Sequence, residues 1–165
     1  MFGLTQLGVV HTAISLIAVG AAVVALFSYK EITLRTRSGR VYVAMTVASC
    51  VTGLFIFQHG GFGNPHVLAI TTLIVLGIAV FAGHTSVFGS ASRYVEPVAY
   101  SLSFYFHFIP GLAETTTRFP RGAPLFSHPE APELLTIWGV LFGVFLIGAA
   151  FQVKLNRPPH QLLDE

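Results

Sequence analysis

Apolar residues along this chain come in long blocks separated by short polar turns. A helix rising about 1.5 Å per residue needs roughly 20 of them to cross a bilayer. Five blocks come near that length, at 7–29, 41–58, 66–88, 97–113 and 134–153. The strict alternation of a membrane β-barrel is absent. The pattern therefore predicts an all-α, polytopic transmembrane helix bundle of five spans, folded as one domain over residues 1–165. The fourth block is the shortest and most polar. Its start is expected at Pro97, in a first turn where proline is tolerated, and Pro110 predicts a kink near its far end.

The connections between blocks are short, with one exception. Residues 114–133 hold Pro120, Pro124, Pro129 and Pro132, which predicts an extended, ordered lid and not a helix. Residues 60–65 read Gly-Gly-Phe-Gly-Asn-Pro, a tight glycine-rich loop. The polar tail, with Pro158 and Pro159, ends the last helix.

Composition sharpens this picture. Of 165 residues, 53% are hydrophobic and 10% charged, against about 25% charged in soluble domains. Cationic residues are distributed unevenly. Lys30, Arg35, Arg37 and Arg40 lie between blocks one and two, Arg93 between three and four, and Lys154 and Arg157 after five. Only Arg118 and Arg121 fall on the other side. The positive-inside rule then predicts an external N-terminus and a cytoplasmic C-terminus, in a bacterial inner membrane. A net charge of +2 arranged in this way argues for membrane orientation and against nucleic-acid binding. Cys50 is the single cysteine, so no intramolecular disulfide is expected. The first residues carry no basic n-region, and block one is expected to be a retained span.

On this topology five histidines, His11, His59, His66, His107 and His128, gather in or above the outer half of the bilayer. Ionisable groups at such depth are costly and need partners. Helical spacing aligns Tyr100, Ser103, His107, Gly111 and Glu114 on block four, and Gly8, His11, Ser15, Ala18 and Ala22 on block one. Block two aligns Ser49, Thr52 and His59. Block three carries His66 and His84 on one face, about 27 Å apart. Imidazole is the commonest metal ligand, and a carboxylate often completes such a set. The candidate metal ligands are His11, His59, His66, His107 and Glu114, holding a transition metal, or haem through a pair of imidazoles. Glu114 is also a candidate catalytic base for metal-bound water. Tyr100 and Phe104 are candidates to wall a flat cofactor or a lipid-like substrate. Gly139 and Gly143 form a small-xxx-small pair that suits close helix packing, with a homo-oligomer or a larger membrane complex as the implied assembly.

Other chemistry is excluded by what is missing. No lysine lies inside a span to form a Schiff base. The chain has no phosphate-cradling glycine loop with lysine, no G-x-S-x-G and no H-E-x-x-H. Carboxylates are confined to the edges of the spans, at Glu96 and Glu114, which argues against a proton-driven transporter.

The early His11, the turn Ser38-Gly39-Arg40-Val41-Tyr42-Val43, the following Met45 and Gly53, and Asn64-Pro65-His66 resemble the DUF2306 family of small bacterial membrane proteins of unknown function. The resemblance covers roughly residues 8–80 and implies a compact polytopic bundle. A histidine expected shortly before the Gly-Arg pair is replaced here by Arg35-Thr36-Arg37.

Three functions remain as expectations. The first is a histidine-rich metal or haem site serving electron transfer, or metal-dependent chemistry on a lipid-like substrate. The second is a non-catalytic subunit or binding module of a membrane complex. The third is a small carrier or channel with His107 and Glu114 in a polar pathway.

Overall fold

In the computed structural model, which describes residues 5–57 and 61–157, the chain is a bundle of five α-helices without strands among the described residues. They are α1 (Gln6–Tyr29), α2 (Arg37–Leu54), α3 (Asn64–His84), α4 (Ser92–Arg118) and α5 (Pro132–Leu155). A single 3₁₀ turn, Gly89–Ala91, leads into α4. Three of the five, α1, α3 and α5, are long and apolar enough to cross a membrane. The chain is thus an integral membrane protein by helix length and composition. α2 and α4 are the more polar helices, and each carries two arginines.

Local chemistry moves two helices away from the bounds that hydropathy predicts. α2 starts at Arg37, four residues early, because Thr36 caps it by accepting the Gly39 amide at 3.1 Å. The cap lies inside the basic turn, where hydropathy registers only charge. α4 is longer at both ends than the expected 97–113. Pro97 therefore lies inside the helix and not in its first turn, and the helix also continues through Pro110 to Arg118. Thr115, Thr116 and Thr117 turn their hydroxyls back onto carbonyls four residues earlier. The expected 114–133 lid is accordingly shortened to the connection between Arg118 and Pro132.

Pairing across the interior fixes how the helices run. His11 meets Thr52 and Ser15 meets Ser49, a falling register that makes α1 and α2 antiparallel. Tyr42 meets Ser103 and Thr46 meets His107, a constant offset that makes α2 and α4 parallel. α3 packs on both α2 and α4, closing a four-helix core, and α5 lies against α4. The core is built on small and aromatic residues: Ala18, Ala22, Ala25, Tyr42, Leu76, Ala79, Ala99 and Tyr100. Small residues let helices approach closely where lipid removes the usual hydrophobic drive between them.

The outer surface is apolar. Leu16, Ile17 and Val24 of α1, Ile74 and Phe81 of α3, and Val140, Ile147 and Phe151 of α5 are all exposed. Such a belt suits hydrocarbon and not water. The ends differ in charge. Lys30, Arg35, Arg37, Arg40, Arg93, Lys154 and Arg157 gather where α1 and α5 end and where α2 and α4 begin. This is called the basic end below, and the opposite one the histidine end.

At the basic end the α1–α2 turn folds back into the protein. Lys30 closes α1 in the left-handed region, at φ 64°. Ile32 and Thr33 are then buried. Gln152 of α5 donates to the Lys30 carbonyl at 3.1 Å and accepts from Ser101 of α4 at 3.1 Å, which anchors the fifth helix to the other four.

Candidate functional site

A ladder of polar side chains runs through the middle of the bundle, between α1, α2 and α4. At the histidine end, His11 Nδ1 lies 3.0 Å from Thr52 Oγ1. The Thr52 hydroxyl hydrogen is directed to Ala48 O at 2.8 Å, so the oxygen is free to accept from a His11 Nδ1–H. One turn deeper, Ser15 and Ser49 are 2.6 Å apart. Ser15 donates to the His11 carbonyl at 2.9 Å, which leaves Ser49 as donor to Ser15.

The next rungs cross from α2 to α4. Thr46 Oγ1 and His107 Nε2 are 3.1 Å apart. Tyr42 and Ser103 are 2.6 Å apart, and Ser103 donates to the Tyr100 carbonyl at 2.7 Å, so the tyrosine donates to the serine. Tyr42, Thr46, Tyr100 and Ser103 are fully buried.

At the basic end sits Glu96, only 6% exposed. Thr33 donates to its Oε1 at 2.9 Å, and Arg35 reaches its Oε2 at 3.2 Å. The carboxyl group rests on Gly83 of α3, where an added Cβ would lie 2.8 Å from it.

These rungs follow one stripe of α4: Glu96, Tyr100, Ser103 and His107. From Glu96 to His107 the helix rises by about 16 Å, and from Thr46, which meets His107, α2 rises about 9 Å further to Thr52. The polar ladder is therefore comparable in length to the hydrocarbon core of a bilayer, about 30 Å.

The sequence candidates separate into several groups. His11 and His107 are both half-buried, on α1 and α4, and each meets a different threonine of α2, Thr52 and Thr46. His66 is buried at the start of α3, where its Nδ1 accepts the Gly63 amide at 3.2 Å. Its ring stacks between Phe57 and Phe62, with centroids at 4.8 and 5.2 Å. His66 is thus a helix-start side chain in an aromatic sandwich, and its buried Nε2 has no hydrogen-bond partner among the described residues. His59 lies outside the described residues. Among the described residues no three His, Cys, Asp or Glu side chains converge on a point that could hold a metal ion. The expected cluster of three or four imidazoles with Glu114 is not assembled there.

Glu114 departs furthest from expectation. Its side chain is about half exposed and pairs with Arg118 one turn on. Gly111 is likewise exposed, so the inward stripe of α4 stops at His107 and extends in the other direction to Glu96. Tyr100 faces the core. Phe104 packs edge-on against Tyr42 and Phe108, at 6.4 and 5.1 Å, as part of the core wall. His84 and His128 are exposed, and His84 Nδ1 lies 3.0 Å from the Val80 carbonyl of its own helix. A Cβ added at Gly139 or Gly143 would meet open space, so neither glycine is required by a close approach within the chain.

Glu96 was the residue that periodicity understated. Its four-residue spacing from Tyr100 continues the α4 stripe, which is the signal that places it inward. Its neighbour Pro97, taken as a helix start, hid that continuity. No family model, curated protein or solved structure matched the chain.

Proposed function

We propose that this protein is a small membrane carrier or channel whose pathway is the polar ladder between α1, α2 and α4. The observation that carries this reading is the succession of hydrogen-bonded polar pairs, from His11–Thr52 through Thr46–His107 and Tyr42–Ser103 to Thr33–Glu96, at successive levels between the two ends of the bundle. Polar groups in a membrane interior are expensive, and ionisable ones there mark pathways and relays. Interhelical hydroxyl pairs also hold helices together, and Ser15–Ser49 would serve that purpose. Holding helices together requires neither two imidazoles on facing helices nor a buried carboxylate on the same stripe.

The links are groups that donate and accept hydrogen bonds, which fits a proton or a small hydrogen-bonding solute. The clustered cations orient the basic end toward the cytoplasm under the positive-inside rule, in a bacterial inner membrane with all five helices spanning. The resemblance to the DUF2306 family is compatible with this compact bundle.

The test is flux in proteoliposomes containing a pH-sensitive dye. Wild-type protein should dissipate an imposed proton gradient, and His107→Ala and Thr46→Val should each slow it by roughly a hundredfold, the scale of losing a positioned proton-transfer group. Dissipation no faster than in empty liposomes would overturn the proposal.

A second reading rests on two half-buried imidazoles on different helices, His11 of α1 and His107 of α4, each bonded to α2. A haem iron needs only two axial imidazoles, and these two lie on facing helices. A Soret band in gently purified protein, lost in both His11→Ala and His107→Ala, would select haem-based electron transfer over transport.

A further inference from the structure

Glu96 is a buried carboxylate held by two groups of very different exposure. Thr33 is buried with it, whereas Arg35 is 63% exposed in its side chain. Arg35 also reaches Glu31 at 3.5 Å, on the rim of the same turn. The arginine thus has two anionic partners, one inside the bundle and one at its surface. Breaking the inner pair leaves the guanidinium with Glu31 and water, while the buried carboxylate would lose its counter-charge. A buried charge whose partner leaves is strongly destabilised, and it becomes neutral by taking up a proton.

The surroundings restrict how that proton could arrive. Gly83 of α3 closes one side of the carboxyl group, Tyr100 lies one turn deeper on α4, and Thr33 and Arg35 cover it from the α1–α2 turn. Arg35 is the exposed part of this cover. Within the proposed pathway, and resting on that reading, we infer that Glu96 is the group that exchanges protons with the aqueous side at the basic end, and that Arg35 is its movable latch. With Arg35 inward the carboxyl group is shut off from water and the path is closed. With Arg35 turned to Glu31 the carboxyl group is open to water and to proton exchange, within one helical turn of Tyr100 and the rungs beyond.

Two measurements on the full-length protein test this. The first is labelling of Glu96 by a hydrophobic carbodiimide, which adds to a protonated buried carboxyl group and is read by mass spectrometry. Wild-type protein should label slowly, Arg35→Gln about tenfold faster, and Glu96→Gln not at all at this position, following the neutralisation argument. The second is flux in the proteoliposome assay. Glu96→Gln keeps a group of the same shape for Thr33 and should lower flux about a hundredfold, with a melting temperature near that of wild type. Arg35→Gln should raise the basal leak.

The outcomes separate the latch from the pathway. Flux lost in His107→Ala but unchanged in Glu96→Gln overturns the latch and leaves the pathway standing. Labelling of Glu96 that does not respond to Arg35→Gln also overturns the latch. Wild-type protein without flux but with Arg35-dependent labelling overturns the pathway and upholds the latch as a carboxyl-access gate. Loss of fold in both Arg35→Gln and Glu96→Gln assigns the pair a structural role and overturns the latch.

Discussion

Single side chains decide more here than their hydropathy suggests. Gly39 is buried in the first turn of α2, and a Cβ added there would collide with the Thr33 carbonyl oxygen. The obstacle is backbone, which cannot swing away as the end of a flexible side chain would. Gly39→Ala should therefore destabilise the protein by about 2 kcal/mol, within the range for overpacking a tight contact. It should also loosen the turn that carries Thr33 and Arg35. Thermal unfolding in detergent measures the first effect, and faster carbodiimide labelling of Glu96 the second. A variant as stable as wild type would show that the turn can relax away from α2.

The same residue scale shows why the metal-site expectation was not met among the described residues. Counting histidines at one depth ignores what each ring already touches. The Gly63 amide uses His66 Nδ1 and two phenylalanines hold its ring, so that only Nε2 is left without a partner among the described residues, and Glu114 pairs with Arg118. Depth brings candidates to one level, but ligation needs them to converge on one point with free nitrogens.

At the scale of elements, the differences from expectation lie at helix ends, where capping outweighs hydropathy. α2 owes its early start to Thr36, which accepts the Gly39 amide and also bonds the Thr33 carbonyl at 3.1 Å. Thr36→Ala should cost about 1 kcal/mol, the usual worth of an N-cap. The fraying should be confined to the first turn of α2, read by hydrogen exchange at residues 37–40. Exchange unchanged there would mean that packing alone holds this helix start. α4 shows the reverse limit of local rules. Its Pro97 predicts a boundary, yet the helix runs through it and packs on α3 and α5. Tyr105 donates to the Trp138 carbonyl at 3.1 Å and packs against Phe142 and Phe145. Tertiary packing of this kind routinely overrides propensity.

For the whole molecule, orientation is the property with the widest consequence, because it assigns the Glu96 end of the ladder to one compartment. Seven of nine lysines and arginines share one end, and the orientation proposed from the positive-inside rule would have that end face the cytoplasm. A reporter fused after Glu165 that folds only in the cytoplasm should be active, and a periplasmic phosphatase at the same position inactive. The opposite pair of results would reverse the membrane orientation and the direction assigned to the latch.

Long apolar blocks need nothing but themselves to form helices in lipid, where every backbone group must be satisfied within its own segment. The sequence by itself therefore determined the all-helical class, the five helices and the charge asymmetry between their ends. It also determined that Tyr100, Ser103 and His107 share a face, since periodicity is local to one helix. What only the tertiary structure decided is which faces meet. The pairing of His107 with Thr46, of Tyr42 with Ser103 and of Glu96 with Thr33 and Arg35 depends on helices 60 or so residues apart in the chain. No local pattern encodes a contact between segments that distant. It arises from how small residues let α1, α2, α3 and α4 close around one another, and that closure turns scattered polar residues into a succession of hydrogen-bonded pairs.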